Sequence, residues 1–223
     1  MEDARIHLTR ALLEGTGWVT RTRDFARTLR TAGHHAGNLL LVGTPTDEPW
    51  HMAAHLDDEA RLAGLPELTP TLVRHHVPAG APAHLAVGLS RLEAAGRGQT
   101  LFVVAPDGSD EHVLQRVADA RRSGAVILAM EDGDRDLRDL AHDALTIGTG
   151  RTALRPDGLL IPETAAFETA QHLVSLAAGE TPVTLGGRRG FRDRLARWMD
   201  AVSGPTLADD DLVHEPGAVG MRT

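Results

Sequence analysis

Two histidines four residues apart, His51 and His55, are the pair in this sequence best placed to do chemistry. On a helix that spacing puts both imidazoles on one face, with Asp58 one turn further along. Two imidazoles arranged this way can share one divalent ion, zinc being the usual one. A third ligand from Glu168 or His172 would complete a site with an open fourth position. Glu168 and His172 are themselves four apart and can divide acid and base duties. Aldose–ketose isomerisation moves a proton between adjacent carbons through an enediol, which needs a base of near-neutral pKa and a polarising group. Glu168, His172 and His55 are the candidates, with Glu163 just upstream. Each set also has a plainer reading, as polar residues on the wet side of a helix in a chain with 12 histidines. His34-His35 and His75-His76 are adjacent pairs whose side chains diverge, so neither pair chelates by itself. His75 and His76 follow a strand and point toward the end of the sheet where ligands usually bind.

The elements that must position these groups show in the hydrophobic pattern. Apolar runs at 38–43, 100–105 and 125–130 are nearly uninterrupted, as in parallel strands covered on both faces, and shorter strands fit 71–74 and 144–147. Helical spacing predicts helices over 2–13, 19–32, 49–63, 83–95, 110–123, 137–141, 163–178 and 191–202. Asp47-Glu48-Pro49 reads as a helix start, with acids in the first turn and proline at the first position. Strand then helix, repeated four times, implies right-handed crossovers and a three-layer α/β/α sandwich with a five-stranded parallel sheet. The runs Leu39–Val42 and Leu101–Val104 are expected side by side at its centre. The division expected is N-terminal helices over 1–33 serving oligomerisation, an α/β domain over 34–185, and a C-terminal helix with an acidic tail over 186–223.

Composition narrows the function classes. The chain has 223 residues and a net charge of −8, with arginine as every one of its 23 basic residues. That balance offers no electrostatic footprint for nucleic acid or for anionic membranes. With no cysteine, disulfides, thiolate metal sites and a cysteine nucleophile are excluded. No apolar run approaches the roughly 20 residues that span a bilayer, and the first residues lack a signal peptide's apolar stretch, so the expected location is the cytoplasm.

Three stretches between about residues 31 and 180 resemble the sugar isomerase (SIS) family of phosphosugar-binding domains. The first is Leu39-Leu40-Leu41-Val42-Gly43-Thr44-Pro45-Thr46, similar to the strand and turn that open that fold. The second, Leu101-Phe102-Val103-Val104-Ala105-Pro106-Asp107-Gly108-Ser109-Asp110, stands where the family has a strand and a serine-rich phosphate loop. The third runs from Ala118 to Ala129 and on to Leu140-Ala141-His142-Asp143-Ala144-Leu145. Within the family the sedoheptulose 7-phosphate isomerase branch is the nearest. Its His-x-Ala-Ala-Glu segment is similar to His51-Met52-Ala53-Ala54-His55, with His55 in place of glutamate. Its Gln and His on a later helix are similar to Gln171-His172.

The resemblance implies a small-molecule sugar phosphate as partner, held by Gly43, Thr44, Thr46, Asp107, Gly108, Ser109 and Asp110, and a homodimer or homotetramer. It implies an isomerase or lyase using Glu168, His172 or His55, with zinc on His51, His55 and His172. Phosphate calls for backbone N–H groups, hydroxyls and a helix N-terminus. Gly108 and Ser109 supply part of this, but Asp107 and Asp110 stand where hydroxyls are expected and would repel a dianion, and Pro45 removes a donor. The alternative is a non-catalytic sensor or structural protein on a degenerate SIS fold.

Overall fold

The computed structural model describes residues 18–32, 36–147 and 163–180. Its elements are α1 (Trp18–Ala32), β1 (Leu39–Val42), α2 (Trp50–Ala63), β2 (Thr71–Val73), β3 (Thr100–Ala105), α3 (Glu111–Arg122), β4 (Val126–Glu131), α4 (Arg135–Leu140), β5 (Asp143–Thr146) and α5 (Glu163–Ala178). The expected helices over 2–13 and 191–202 and the acidic tail lie outside the described residues. Among those described, no helix is long and apolar enough to cross a membrane.

All five strands pair in parallel in the order 2-1-3-4-5. The register sets Leu39 beside Thr100 and Leu101 beside Ile127, so β1 and β3 are neighbours, as expected, with β3 in the middle. Their uniform apolarity follows from two-sided burial. Leu39, Leu41, Phe102, Val104, Leu128 and Met130 pack on one face, with Phe25 and Leu29 of α1, Leu56 of α2 and Leu173 of α5. Leu40, Val42, Leu101, Val103 and Ile127 pack on the other, with Val113 and Val117 of α3. The alternation is the two-residue period of a strand, apolar at every position because no face meets water.

Three expectations need correction. α1 belongs to the sandwich, because Phe25, Ala26 and Leu29 are buried in its core, so residues 18–32 are part of the α/β unit rather than an extension before it. The helix expected over 83–95 is two short 3₁₀ turns, Ala83–Leu85 and Leu89–Ala94. Between them the chain runs extended through Gly88, and the Arg74 N–H donates to the Val87 carbonyl, so pairing along β2 wins over helical spacing. Finally, α2 starts at Trp50, after Pro49. Asp47 and Glu48 stay in the loop, where Glu48 is bound elsewhere.

The helices leave the sheet on opposite faces after β1 and β3. This is the switch point of the sheet, at whose carboxyl ends open α/β folds bind ligands.

Candidate functional site

The three imidazoles expected as metal ligands come together. His51 and His55 stack with ring centroids 4.9 Å apart. His172, arriving on α5, lies edge-on to both, at 4.9 Å from His51 and 4.4 Å from His55. The i, i+4 spacing on α2 and the packing of α5 against that helix bring them there. One nitrogen from each ring falls within 4.8 Å of the others. A tetrahedral zinc with bonds of about 2.0–2.1 Å needs donors roughly 3.3 Å apart, a closure that small ring movements supply.

His172 is only 9% exposed. Burial, then the charges of His55 and His51, push its pKa down to about 3. Burial and His51 lower His55 as well, partly opposed by Asp58. These two rings are neutral at pH 7, the form that ligates metal, and proton release is not needed for binding. His172 suits a ligand better than a proton carrier. The donor set thus fits zinc.

Asp58 does not join the cluster; it is exposed and accepts from Arg61 at 2.8 Å. Of the two third ligands left open by sequence, His172 is the one whose ring nitrogen lies with those of His51 and His55. Glu168, one turn earlier, is exposed, so the two do not share an environment.

The shifted histidine makes stability depend on pH. The unfolded chain holds a proton on His172 below the ordinary value of 6.5, whereas the folded chain does not until about 3. Below 6.5 the unfolded state therefore binds more protons, and folding stability falls as pH drops through that window. The ceiling is about 5 kcal/mol, from a 3.5-unit shift at 1.36 kcal/mol per unit. Urea titrations of metal-free protein at pH 7 and pH 4 should show this loss, and His172→Asn should flatten it.

The two loops after β1 and β3 are closed on themselves. Gly43 is buried, and the Thr44 N–H donates to the Asp47 carbonyl at 3.0 Å. The Thr44 hydroxyl accepts from the Asp47 N–H at 3.1 Å and meets the Thr46 hydroxyl at 3.2 Å. Thr46 is exposed. In the second loop Gly108 takes φ +85°, a conformation that glycine alone adopts without strain. The Ser109 N–H donates to Asp134 Oδ2 at 2.7 Å, and the Ser109 hydroxyl is buried without a partner. Asp110 caps α3 by accepting from the Val113 N–H at 2.7 Å, and Asp107 is exposed. Burial, then the charges of Asp107 and Glu168, raise the pKa of Asp47.

Sequence reasoning missed the groups that brace this end of the sheet. Glu48 accepts from Arg74 Nε (3.0 Å), the His75 N–H (3.1 Å) and Trp50 Nε1 (2.9 Å), and Arg74 lies 4.5 Å over the Trp50 ring. His75 Nε2 donates to the Gly43 carbonyl at 2.9 Å, tying β2 to the first loop. Glu131, fully buried at the end of β4, accepts from Arg138 Nε (2.9 Å) and from the Thr146 hydroxyl. An acid ending an apolar run was the available signal.

No protein-family model matches the chain, and no curated protein matches it by sequence. Solved structures do. A candidate sugar-binding protein from Salmonella typhimurium LT2 superposes with TM-score 0.53 at 15% identity, over 89% of this chain and 53% of its own. A candidate phosphosugar isomerase from Silicibacter pomeroyi DSS-3 gives 0.52 at 17%, over 91% and 54%. The chain has the SIS fold. It spans about half the length of either structure. At such identity, likeness fixes the path of the chain and not its chemistry, so the activity of an SIS-fold protein has to be argued from its own residues.

Proposed function

We propose that this SIS-fold chain binds zinc on His51, His55 and His172, takes a sugar or sugar phosphate at the carboxyl ends of the strands, and acts on it as an isomerase or lyase. The cluster of three imidazoles from two helices carries the reading. The sugar ligand is supported by the names of the two proteins that share the fold.

A bound divalent ion would polarise a sugar carbonyl beside it. The chain's own part is to hold the ring and move a proton. Asp47, its pKa raised by burial and by like charges, is a better-tuned base than an ordinary carboxylate, and Glu168 is the second candidate. His55 and His172 serve as ligands on this reading. A second reading, a sensor without turnover, is favoured by the self-closed loops. Residence in the cytoplasm and assembly as a dimer or tetramer belong to the proposal, on the acidic, cysteine-free composition and the resemblance to an oligomeric family.

Thermal-shift titration tests it. Zinc should raise the melting temperature of the full chain, because binding to the native state stabilises it by mass action. Adding glucose 6-phosphate or fructose to zinc-loaded protein should raise it further. No response to zinc at a hundredfold excess would rule the metal reading out.

A further inference from the structure

The first turn of a helix leaves backbone N–H groups without helical partners, and a side chain at the N-cap usually takes one of them. In α2 the N-cap position is held by Pro49, which makes no side-chain bond to the turn. Uncapped ends fray. His51 is the second residue of this helix and the exposed member of the three-histidine cluster. A metal ligand placed there needs its turn held by other means.

Glu48 supplies that hold from outside the helix. Its Oε2 accepts from the Trp50 indole Nε1 at 2.9 Å and from Arg74 Nε at 3.0 Å, and its Oε1 accepts from the His75 N–H at 3.1 Å. The Arg74 guanidinium lies 4.5 Å over the Trp50 ring, so the indole is gripped at its edge and on one face. Glu48 and Arg74 are both largely buried, and charge-assisted bonds of this kind are the stronger ones. The far end of the grip is itself anchored. The Arg74 N–H donates to the Val87 carbonyl at 2.8 Å, and the His75 ring donates to the Gly43 carbonyl at 2.9 Å. The first residue of α2 is thereby fastened to the end of β2, and His51 follows it directly.

We propose that Glu48 is a positioning residue for the zinc site: it fixes the first turn of α2 in place of an N-cap and so holds His51 beside His55 and His172. This rests on the zinc reading of the three histidines. Glu48 need not touch the ion. Outer groups that orient a ligand contribute roughly 10–100-fold to metal affinity, and one acting through the backbone is expected at the lower end.

Calorimetric zinc titration of the full-length protein tests it, on wild type, Glu48→Ala, Trp50→Phe, His51→Ala and the double variant Glu48→Ala/His51→Ala. Circular dichroism confirms the fold of each. Glu48→Ala should weaken zinc about tenfold. Trp50→Phe keeps every charge and a ring beside Arg74 while losing the Nε1 bond, and should weaken it about threefold. In the His51→Ala background, where His55 and His172 remain, adding Glu48→Ala should change affinity by less than about twofold. A general structural role would cost the same with or without His51. Equal losses in the two backgrounds, or undiminished zinc binding in both Glu48→Ala and Trp50→Phe, overturn the inference while the zinc reading stands. Should Glu48→Ala fail to fold, Trp50→Phe alone and combined with His51→Ala runs the same comparison. If wild type takes no zinc, the zinc reading fails and the inference with it.

Discussion

Replacing His172 with alanine is expected to weaken zinc binding by more than the roughly 10–100-fold that losing a mere outer-shell partner costs. His51 and His55 alone are a two-point chelate on one helix. The third nitrogen comes from α5, so its removal leaves the ion with two protein ligands and water. Because His172 is pushed to about 3, the effect should persist unchanged between pH 6 and pH 8, where this ring carries no proton to compete. Asp58→Ala, on the same side of α2 but taken by Arg61, should leave affinity within about twofold. Competition with a chromophoric chelator reads both. Equal losses in the two variants would mean that the ion, if bound, sits elsewhere.

The second large effect is at Gly43. A Cβ there would lie 2.1 Å from the Asp47 carbonyl oxygen and 2.5 Å from Pro49 Cδ, and backbone cannot swing aside as a side chain can. Gly43→Ala should cost roughly 3 kcal/mol, the upper end for overpacking. For a chain of this length that is a fall of about 6–12 °C in melting temperature. Gly108→Ala meets nothing within 4 Å and pays only for its φ of +85°, about 1 kcal/mol. Calorimetric melts of the two variants should rank them in this order. The first loop leads into α2, so Gly43→Ala should also loosen the placement of His51 and weaken zinc, whereas Gly108→Ala should not.

These cases show what was legible in the sequence. The strands Leu39–Val42, Thr100–Ala105 and Val126–Glu131 announced themselves because two-sided burial leaves no room for polar alternation. The bounds of α5, Glu163–Ala178, were legible from helical spacing alone. The stretch 83–95 was not. Its apolar spacing fits a helix, and only the tertiary pairing of Arg74 with Val87 and Gly88 draws it out.

At the site, the i, i+4 histidines of α2 could be read directly, since both candidate ligands come from one element. The third could not. Glu168 and His172 share a side of α5, and choosing between them requires knowing where along that helix α2 packs, a fact of tertiary structure. Glu48 looked like an ordinary first-turn acid, and its grip on Arg74, His75 and Trp50 joins residues up to 27 apart in sequence, where no local pattern reaches. Thr44, Ser109 and Asp110 could be named from sequence as candidates for a phosphate loop. The Thr44 and Asp110 side chains are already spent within their loops and the Ser109 N–H is taken by Asp134, which sequence cannot show.

X-ray absorption at the zinc edge of the loaded full-length protein is the most direct measurement of the proposed metal centre. Three imidazole nitrogens and one water oxygen at about 2.0–2.1 Å are expected, with the outer-shell scattering of three histidine rings. In His172→Ala that outer-shell scattering should fall to that of two rings. Its absence in wild type, or no change in His172→Ala, would contradict a centre built from His51, His55 and His172.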